Sequence, residues 1–462
     1  MRTLLISPPT DNVIKSVVNT NVPPLSLAYL ASMIREENDV RIIDSMAEDL
    51  TFKDLKGIIK DYNPDLIGLT ATTSMMLDAY KVADIAKEIN EDIKIVLGGP
   101  HVTFLPEKTL EECKNIDYIV RGEGEYTFKE LVDTLNKNRD LKDIKGLTFR
   151  ENGKIISNPR RELIKNVDKI PIPSYDLLPM DRYKADGIKF GTIITSRGCP
   201  FNCIFCSSSL QFGKKWRGHS VERIIDELSI LEDEYHRRSI EFLDDTFTLI
   251  KSRVIELSRR IREEKLDLIW SASSRVDTFS REIAEAMKKA GAHTIYFGIE
   301  SGTQKILNFI GKGITLEQSI RSIRNAKNAK LHTLGSFIIG FPQENKEDIK
   351  KTMSFSRKIG VDFAQFTLAT PYPGTKLWYL SLKEKLLRTM DWSKFTTLTP
   401  VLKLKNFTCN QISKLLYLAY IRFYLRPKVL IKDLIEDKGF ILRRAIPQVL
   451  KNFSRSYVKG RG

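Results

Sequence analysis

Twice along this chain, short β-branched runs alternate with amphipathic helical stretches, and that alternation leaves few folds open to it. In the first 140 residues the runs are TLLI (3–6), VRII (40–43), LIGLT (66–70), IKIVLGG (93–99) and DYIVRG (117–122). Helical periodicity lies between each pair, and a further helical pattern covers 126–136. Strands separated by helices pair in parallel, so this part reads as a doubly wound sheet. Such sheets bind ligands at the carboxyl ends of their strands. Here the loops at those ends are SPPT, TATTSMM, GGPHVTFLPE and GEGEYTF. Their small and hydroxyl residues let a large polar ligand approach the backbone.

The stretch GLTFRENGKIISN reads as a β-hairpin about Asn152 and Gly153. Pro171, Pro173 and Pro179 then punctuate an extended connector, so residues 141–190 form a hairpin and linker. From residue 191 the rhythm resumes in longer units: TIIT, IEFL, LIWSA, TIYFGI, LGSFIIG and FAQFTLA. Six βα units predict a partial (β/α)6 barrel over 191–400, related to the TIM barrel, with its active site at the C-terminal mouth of the strands. Every unusual motif in this half falls at such a strand end, where residues are not needed for packing. Residues 401–462 read as a helical extension. The expected fold class is therefore α/β, with a doubly wound sheet over 1–140, the partial barrel, and a C-terminal helical segment.

A chain of 462 residues with 42% hydrophobic content is expected to bury two or three cores. Its longest apolar stretch, 415–425, is interrupted by Arg422 and too short to span a bilayer. The N-terminus resembles a buried first strand more than a signal peptide, which predicts a cytoplasmic protein. Of the net charge of +16, residues 401–462 supply +11, from 14 Lys and Arg against 3 Asp and Glu. A basic surface attracts nucleic acid, acidic membranes or phosphorylated substrates alike, and composition does not separate them.

Three of the five cysteines fall within GCPFNCIFC, as Cys199, Cys203 and Cys206, immediately after the first barrel strand. That spacing suits a metal better than a disulfide framework. Three thiolates leave one iron of a cubane cluster open, as a catalytic cluster needs. The rival is zinc, which normally takes four ligands, and the nearest candidate, His219, lacks a paired partner at short spacing. Cys113 and Cys409 stand alone and read as small buried hydrophobes.

The segment TSRGCPFNCIFCSS resembles the signature of the radical SAM superfamily. The resemblance implies a 4Fe-4S cluster on the three cysteines, with S-adenosylmethionine chelating the open iron and cleaved to a 5′-deoxyadenosyl radical. It also implies that Phe205 lies against the adenine, and that Asp244 and Asp245, in FLDDTFT, serve the methionine amino group. Two acids at a strand end also suit a helix cap. Arg275 matches a contact to the cofactor carboxylate, Glu300 and Ser301 match ribose and methionine contacts, and Gly340, in GSFIIGFPQE with Gly335 and Pro342, belongs to a backbone motif for adenine. Any one of these strand ends is weak alone; their order after the triad is the signal.

The first third of the chain resembles the cobalamin-binding domain fused ahead of such barrels, through PPLSLAYLAS, GGPHVTFLPE and RGEGEYTF. The implied cobalamin contacts are Thr72, Ser74, Gly98, Gly99, Gly122 and Glu123. No D-x-H-x-x-G occurs, so no histidine is supplied to the lower cobalt face in the usual way, and His101 is expected to line the nucleotide-tail site. A flavodoxin-like sheet with another cofactor or none is the rival.

With both cofactors, the resemblance implies methylation of an unactivated carbon, or cyclisation or carbon–carbon coupling, and an external electron donor such as a ferredoxin or flavodoxin. RNA methylthiolation requires a further cysteine triad in the first domain, which has Cys113 alone. A non-catalytic cobalamin sensor would leave the triad without a purpose. Nucleic acid is not an expected partner. In the tail, Tyr417, Tyr420, Phe423 and Tyr424 interleave with Arg422, Arg426 and Lys428. This pattern suits a peripheral membrane contact or an amphiphilic substrate such as a lipid, and equally a helical cap over the barrel.

Overall fold

The computed structural model describes residues 1–10, 22–137, 139–185 and 187–426. Five parallel strands open the chain: β1 (Arg2–Ser7), β2 (Asp39–Asp44), β3 (Leu66–Thr70), β4 (Lys94–Gly98) and β5 (Tyr118–Val120). Helices cover both faces, so Leu4, Leu5 and Ile6 are fully buried in succession. The strand order β2-β1-β3-β4-β5 reverses beside β1, and that reversal opens a crevice above the carboxyl ends. The expected hairpin, β6 (Leu147–Glu151) and β7 (Lys154–Ser157), extends this same sheet antiparallel to β5.

The connector is tied to both halves. Tyr183 donates to Asp44 Oδ2 of the first domain at 3.0 Å, and Tyr175 donates to the Thr192 carbonyl of the second, also at 3.0 Å. A short strand, β8 (Lys184–Ala185), then pairs antiparallel with β9 (Ile188–Ile193). Within the following loop, β10 (Ser196–Arg197) pairs with β11 (Arg217–Gly218). The remaining strands are β12 (Ser239–Phe242), β13 (Ile269–Arg275), β14 (Ala292–Glu300), β15 (His332–Ile339) and β16 (Phe363–Leu368). From β9 through β16 six strands run parallel in sequence order, the expected partial barrel.

An incomplete barrel leaves an open edge, and unpaired backbone there invites aggregation. The helix Cys409–Tyr424 covers it, starting from a Thr408/Gln411 capping box. Tyr420 accepts from the Phe366 N–H at 3.1 Å and donates to its carbonyl at 2.8 Å; Tyr424 does the same for Ala364. Two hydroxyls thus stand in for a neighbouring strand, with Phe423 buried beside them. Of the aromatic residues that suggested a membrane contact, Tyr420, Phe423 and Tyr424 therefore face the barrel, and residues 427–462, which carry most of the basic tail, lie outside the described residues. Among the described residues no helix is long and apolar enough to cross a membrane.

Candidate active site

The cysteines occupy an excursion between β10 and β11, tied at its base by that two-stranded ribbon. Gly198 opens it at φ +90°, where a Cβ would come within 2.5 Å of the Lys215 carbonyl, so the turn requires glycine. Inside the loop, Cys199 N donates to the Gly213 carbonyl at 3.1 Å and Ile204 N to the Ile310 carbonyl at 2.9 Å. Burial raises the Cys203 and Cys206 thiols, while Lys312 and Arg275 act against it at Cys203. Arg275 Nη1 lies 3.9 Å from Cys203 Sγ. No three His, Cys, Asp or Glu side chains among the described residues are grouped to share one metal ion. Thiolates that each bind a different iron of a cubane stand farther apart than ligands of one ion, so three partly buried thiols, with Lys312 and Arg275 beside Cys203, fit a cluster.

The strand ends around this loop differ in how much of their chemistry is already used. Asp244 is buried and accepts from Thr195 N at 3.3 Å, from Thr195 Oγ1 at 3.0 Å and from Ser196 Oγ. Asp245 points the other way and remains accessible from the cavity, yet is walled in enough that burial raises its carboxyl. Arg275 spends Nε and Nη2 on Asp277, at 2.9 and 2.8 Å, and Nη2 also on the Lys312 carbonyl at 2.7 Å. Its guanidinium stacks on Phe201, 3.4 Å from the ring centre. Nη1 is what remains for another partner.

Glu300 ends β14 at a bulge, with φ +67°, and its Oε1 accepts from Lys312 Nζ at 2.7 Å in a buried pair. Ser301 is fully buried against Thr303 and Thr352. Gly340, at φ +87°, and Phe341 donate their N–H groups to Glu344 Oε2 at 2.5 and 2.9 Å. Burial pushes Glu344 up to about 8, and its Oε1 has no partner among the described residues. Phe205 packs toward Phe341, ring centres 6.0 Å apart.

Between the two sheets lies a cavity of about 1000 Å³, part of it open to solvent. The first domain lines it with Thr70, Gly98, Gly99, Gly122 and Glu123, and the barrel with Ile194, Ser196, Leu243 and Asp245. Gln211 and Phe212, just past the cysteines, complete the wall. Gly99 lies at φ +117°, where a Cβ would meet the Ala71 carbonyl at 2.4 Å, so the backbone comes close without a side chain in the way. Thr72 and Ser74 follow β3 near this edge, their hydroxyls 3.5 Å apart.

Glu123 and His101 also have partners within the protein. Glu123 spends its carboxylate on Arg217 at 2.9 Å, on Arg197 at 3.3 Å and on Ile164 N at 2.8 Å, while Arg197 also binds Glu125 at 2.5 Å. These four charges cross the domain interface. His101 is buried away from the cavity wall, with Nδ1 3.3 Å from Thr73 Oγ1 and its ring edge-on to Trp392 at 4.6 Å. Burial, with Lys108 adding to it, pushes His101 down to about 4, so it is neutral. Sequence reasoning passed over Arg197, Arg217, Glu125, Asp277, Lys312 and Glu344. Of these, Glu344, Arg197 and Glu125 carried a local signal, since they lie within GSFIIGFPQE, TSRGCPFNCIFCSS and RGEGEYTF.

Residues 12–132 match the B12 binding domain and residues 193–356 the Radical SAM superfamily. The chain is 64% identical to "Uncharacterized methyltransferase PH0819" of Pyrococcus horikoshii over 98% of both chains. It is 29% identical to the anaerobic magnesium-protoporphyrin IX monomethyl ester cyclase of Rubrivivax gelatinosus, over 94% of this chain and 79% of the relative. Its fold is similar to that of the cobalamin-dependent S-adenosylmethionine radical enzyme OxsB, solved with aqua-cobalamin and S-adenosylmethionine, with a TM-score of 0.74, 20% identity, and coverage of 91% of this chain and 66% of that one.

Proposed function

Because this chain belongs to the cobalamin-dependent radical SAM family, we propose that it is a methyltransferase that places a methyl group from S-adenosylmethionine on an unactivated carbon. The observation that carries this reading is the shared cavity: the carboxyl edge of the first sheet and the mouth of the barrel open onto one space, beside the cysteine loop. Bound there together, the cluster, S-adenosylmethionine and cobalamin supply a carbon radical and a transferable methyl group.

The chain's own residues divide the work. Cys199, Cys203 and Cys206 would hold the cluster. Asp245, whose only neighbouring donor among the described residues is the Ser208 hydroxyl where Asp244 is spent on Thr195 and Ser196, would accept from the methionine amino group. Arg275, through Nη1, would reach the carboxylate, while Asp277 fixes its plane. Glu300 and the backbone at Ser301 would meet the ribose, with Phe205 and the Gly340 backbone at the adenine. On the other wall, Thr72, Ser74, Gly98, Gly99 and Gly122 would approach the corrinoid. Glu123 would position that loop through its arginines rather than touch the cofactor, and His101, buried and neutral, would not be a cobalt ligand. The electron would come from an external carrier such as a ferredoxin or flavodoxin. A lipid or other amphiphilic substrate rests on the basic residues beyond 426, since Tyr420, Phe423 and Tyr424 are engaged elsewhere.

The resemblance to a cyclase over 94% of this chain keeps radical cyclisation as the second reading. One experiment separates the outcomes. Anaerobically reconstituted protein, given reductant and methyl-labelled S-adenosylmethionine with a cell extract, should form 5′-deoxyadenosine and S-adenosylhomocysteine and move label into a product. Deoxyadenosine with no label transfer favours cyclisation or coupling. A protein loaded with iron and corrinoid that forms neither nucleoside overturns the enzyme reading.

A further inference from the structure

Ile240 and Phe242 of β12 are buried against the helices, so Glu241 between them points to the concave side of the half-barrel. Register places Thr192 and Ser271 beside it, and the pair Ser273 and Tyr296 one layer nearer the mouth. The Tyr296 hydroxyl donates to Ser271 Oγ at 3.3 Å. This wall of the lumen is therefore a set of hydroxyls around one carboxylate.

Acids near the mouth are matched: Asp244 by Thr195 and Ser196, Glu300 by Lys312, Asp277 by Arg275. Glu241 has no hydrogen bond or ion pair with another described residue. Burial raises its carboxyl with no cation opposing it, and Tyr296 feels its charge. A half-buried carboxylate without a partner costs stability, and such costs are typical of groups that await a ligand. Glu241 lies near the carboxyl end of β12, and Asp245 follows in the turn beyond it, at the barrel mouth.

We propose that Glu241, flanked by Tyr296, Ser271 and Ser273, binds a basic nitrogen of the substrate, an alkylammonium or similar organic cation, holding a carbon several bonds away at the barrel mouth. The assignment rests on the enzyme reading above and names its substrate class.

The test uses n-hexylammonium and n-hexanol as probes, with binding to the reconstituted full chain followed by saturation-transfer NMR, which needs no turnover. Wild type should prefer the ammonium, and Glu241→Gln should bind it roughly tenfold more weakly, as loss of a charge-assisted hydrogen bond implies, with n-hexanol unaffected. Equal ammonium binding by the two proteins, or no preference in wild type, overturns the proposal. Glu241→Gln should also melt at or above the wild-type temperature, because it removes an unpartnered carboxylate. A lower melting temperature would make Glu241 a structural partner and sink the assignment as well. Deoxyadenosine formation by wild type is scored separately: its loss defeats the enzyme reading, whereas a lost ammonium preference alongside intact cleavage defeats only the role of Glu241.

Discussion

Lys312 Nζ and Glu300 Oε1 meet at 2.7 Å in a pair buried at both ends, directly over Gly298, where a Cβ would fall 2.6 Å from Glu300 Oε1 and 2.7 Å from Lys312 Nζ. The glycine makes room for the pair, and the pair fixes the left-handed end of β14. Replacing Lys312 by Met leaves a buried carboxylate uncompensated and should cost about 3–5 kcal/mol in chemical denaturation. The double variant Lys312→Met/Glu300→Gln should recover much of that loss. If the double variant is no more stable than the single one, the pair is not coupled as described.

The cluster Glu123, Glu125, Arg197 and Arg217 joins the two domains and predicts a pH response. Burial alone would raise Glu125, but Arg197 reverses this and holds it below the ordinary glutamate value. Its contribution is therefore complete above the unfolded value and is lost as pH falls through the folded one. Melting temperature should drop on acidification, and less steeply in Arg197→Met/Glu125→Gln. Parallel curves for the two proteins would remove Glu125 as the source.

Much of this was legible beforehand. The run LIGLT is β3 residue for residue, because a parallel sheet buried on both faces needs continuous apolar segments; the last five barrel strands overlap their expected runs, while the first, β9, begins four residues before TIIT and ends within it. Which of Asp244 and Asp245 faces the cavity was not legible, since adjacent residues face opposite ways and only the partners, Thr195 and Ser196 for one and Ser208 for the other, decide. That His101 packs against Trp392, nearly three hundred positions later, could not be read from its local sequence. An apolar helical stripe reads alike whether it meets a sheet edge or a membrane, so the role of Tyr420 and Tyr424 waited for β16.

Those two hydroxyls make a separate prediction. Tyr420→Phe/Tyr424→Phe keeps the rings but returns the N–H and C=O groups of Phe366 and Ala364 to solvent or to another chain. Each hydroxyl should be worth about 1 kcal/mol. Beyond the lower melting temperature, light scattering should show concentration-dependent association, because the barrel edge becomes available for pairing. A double variant that melts like wild type and stays monodisperse would mean that the helix, not its hydroxyls, protects the edge.

Glu344 predicts the opposite pH trend to Glu125. Its Oε2 takes two backbone N–H groups, which favours the ionised form, but burial outweighs them and pushes the carboxyl up to about 8. The folded chain thus keeps a proton that the unfolded chain gives up at the ordinary glutamate value. Folding stability from this residue must fall as pH rises through that window, by a few kcal/mol at most across it. Glu344→Gln retains an oxygen for Gly340 and Phe341 and cannot ionise. Its melting temperature should therefore gain on that of wild type between about pH 5 and about pH 8, with the curves closest at the acid end. If the two proteins keep a constant separation over that range, Glu344 is already ionised in the folded state, and the backbone N–H groups, rather than burial, set its charge.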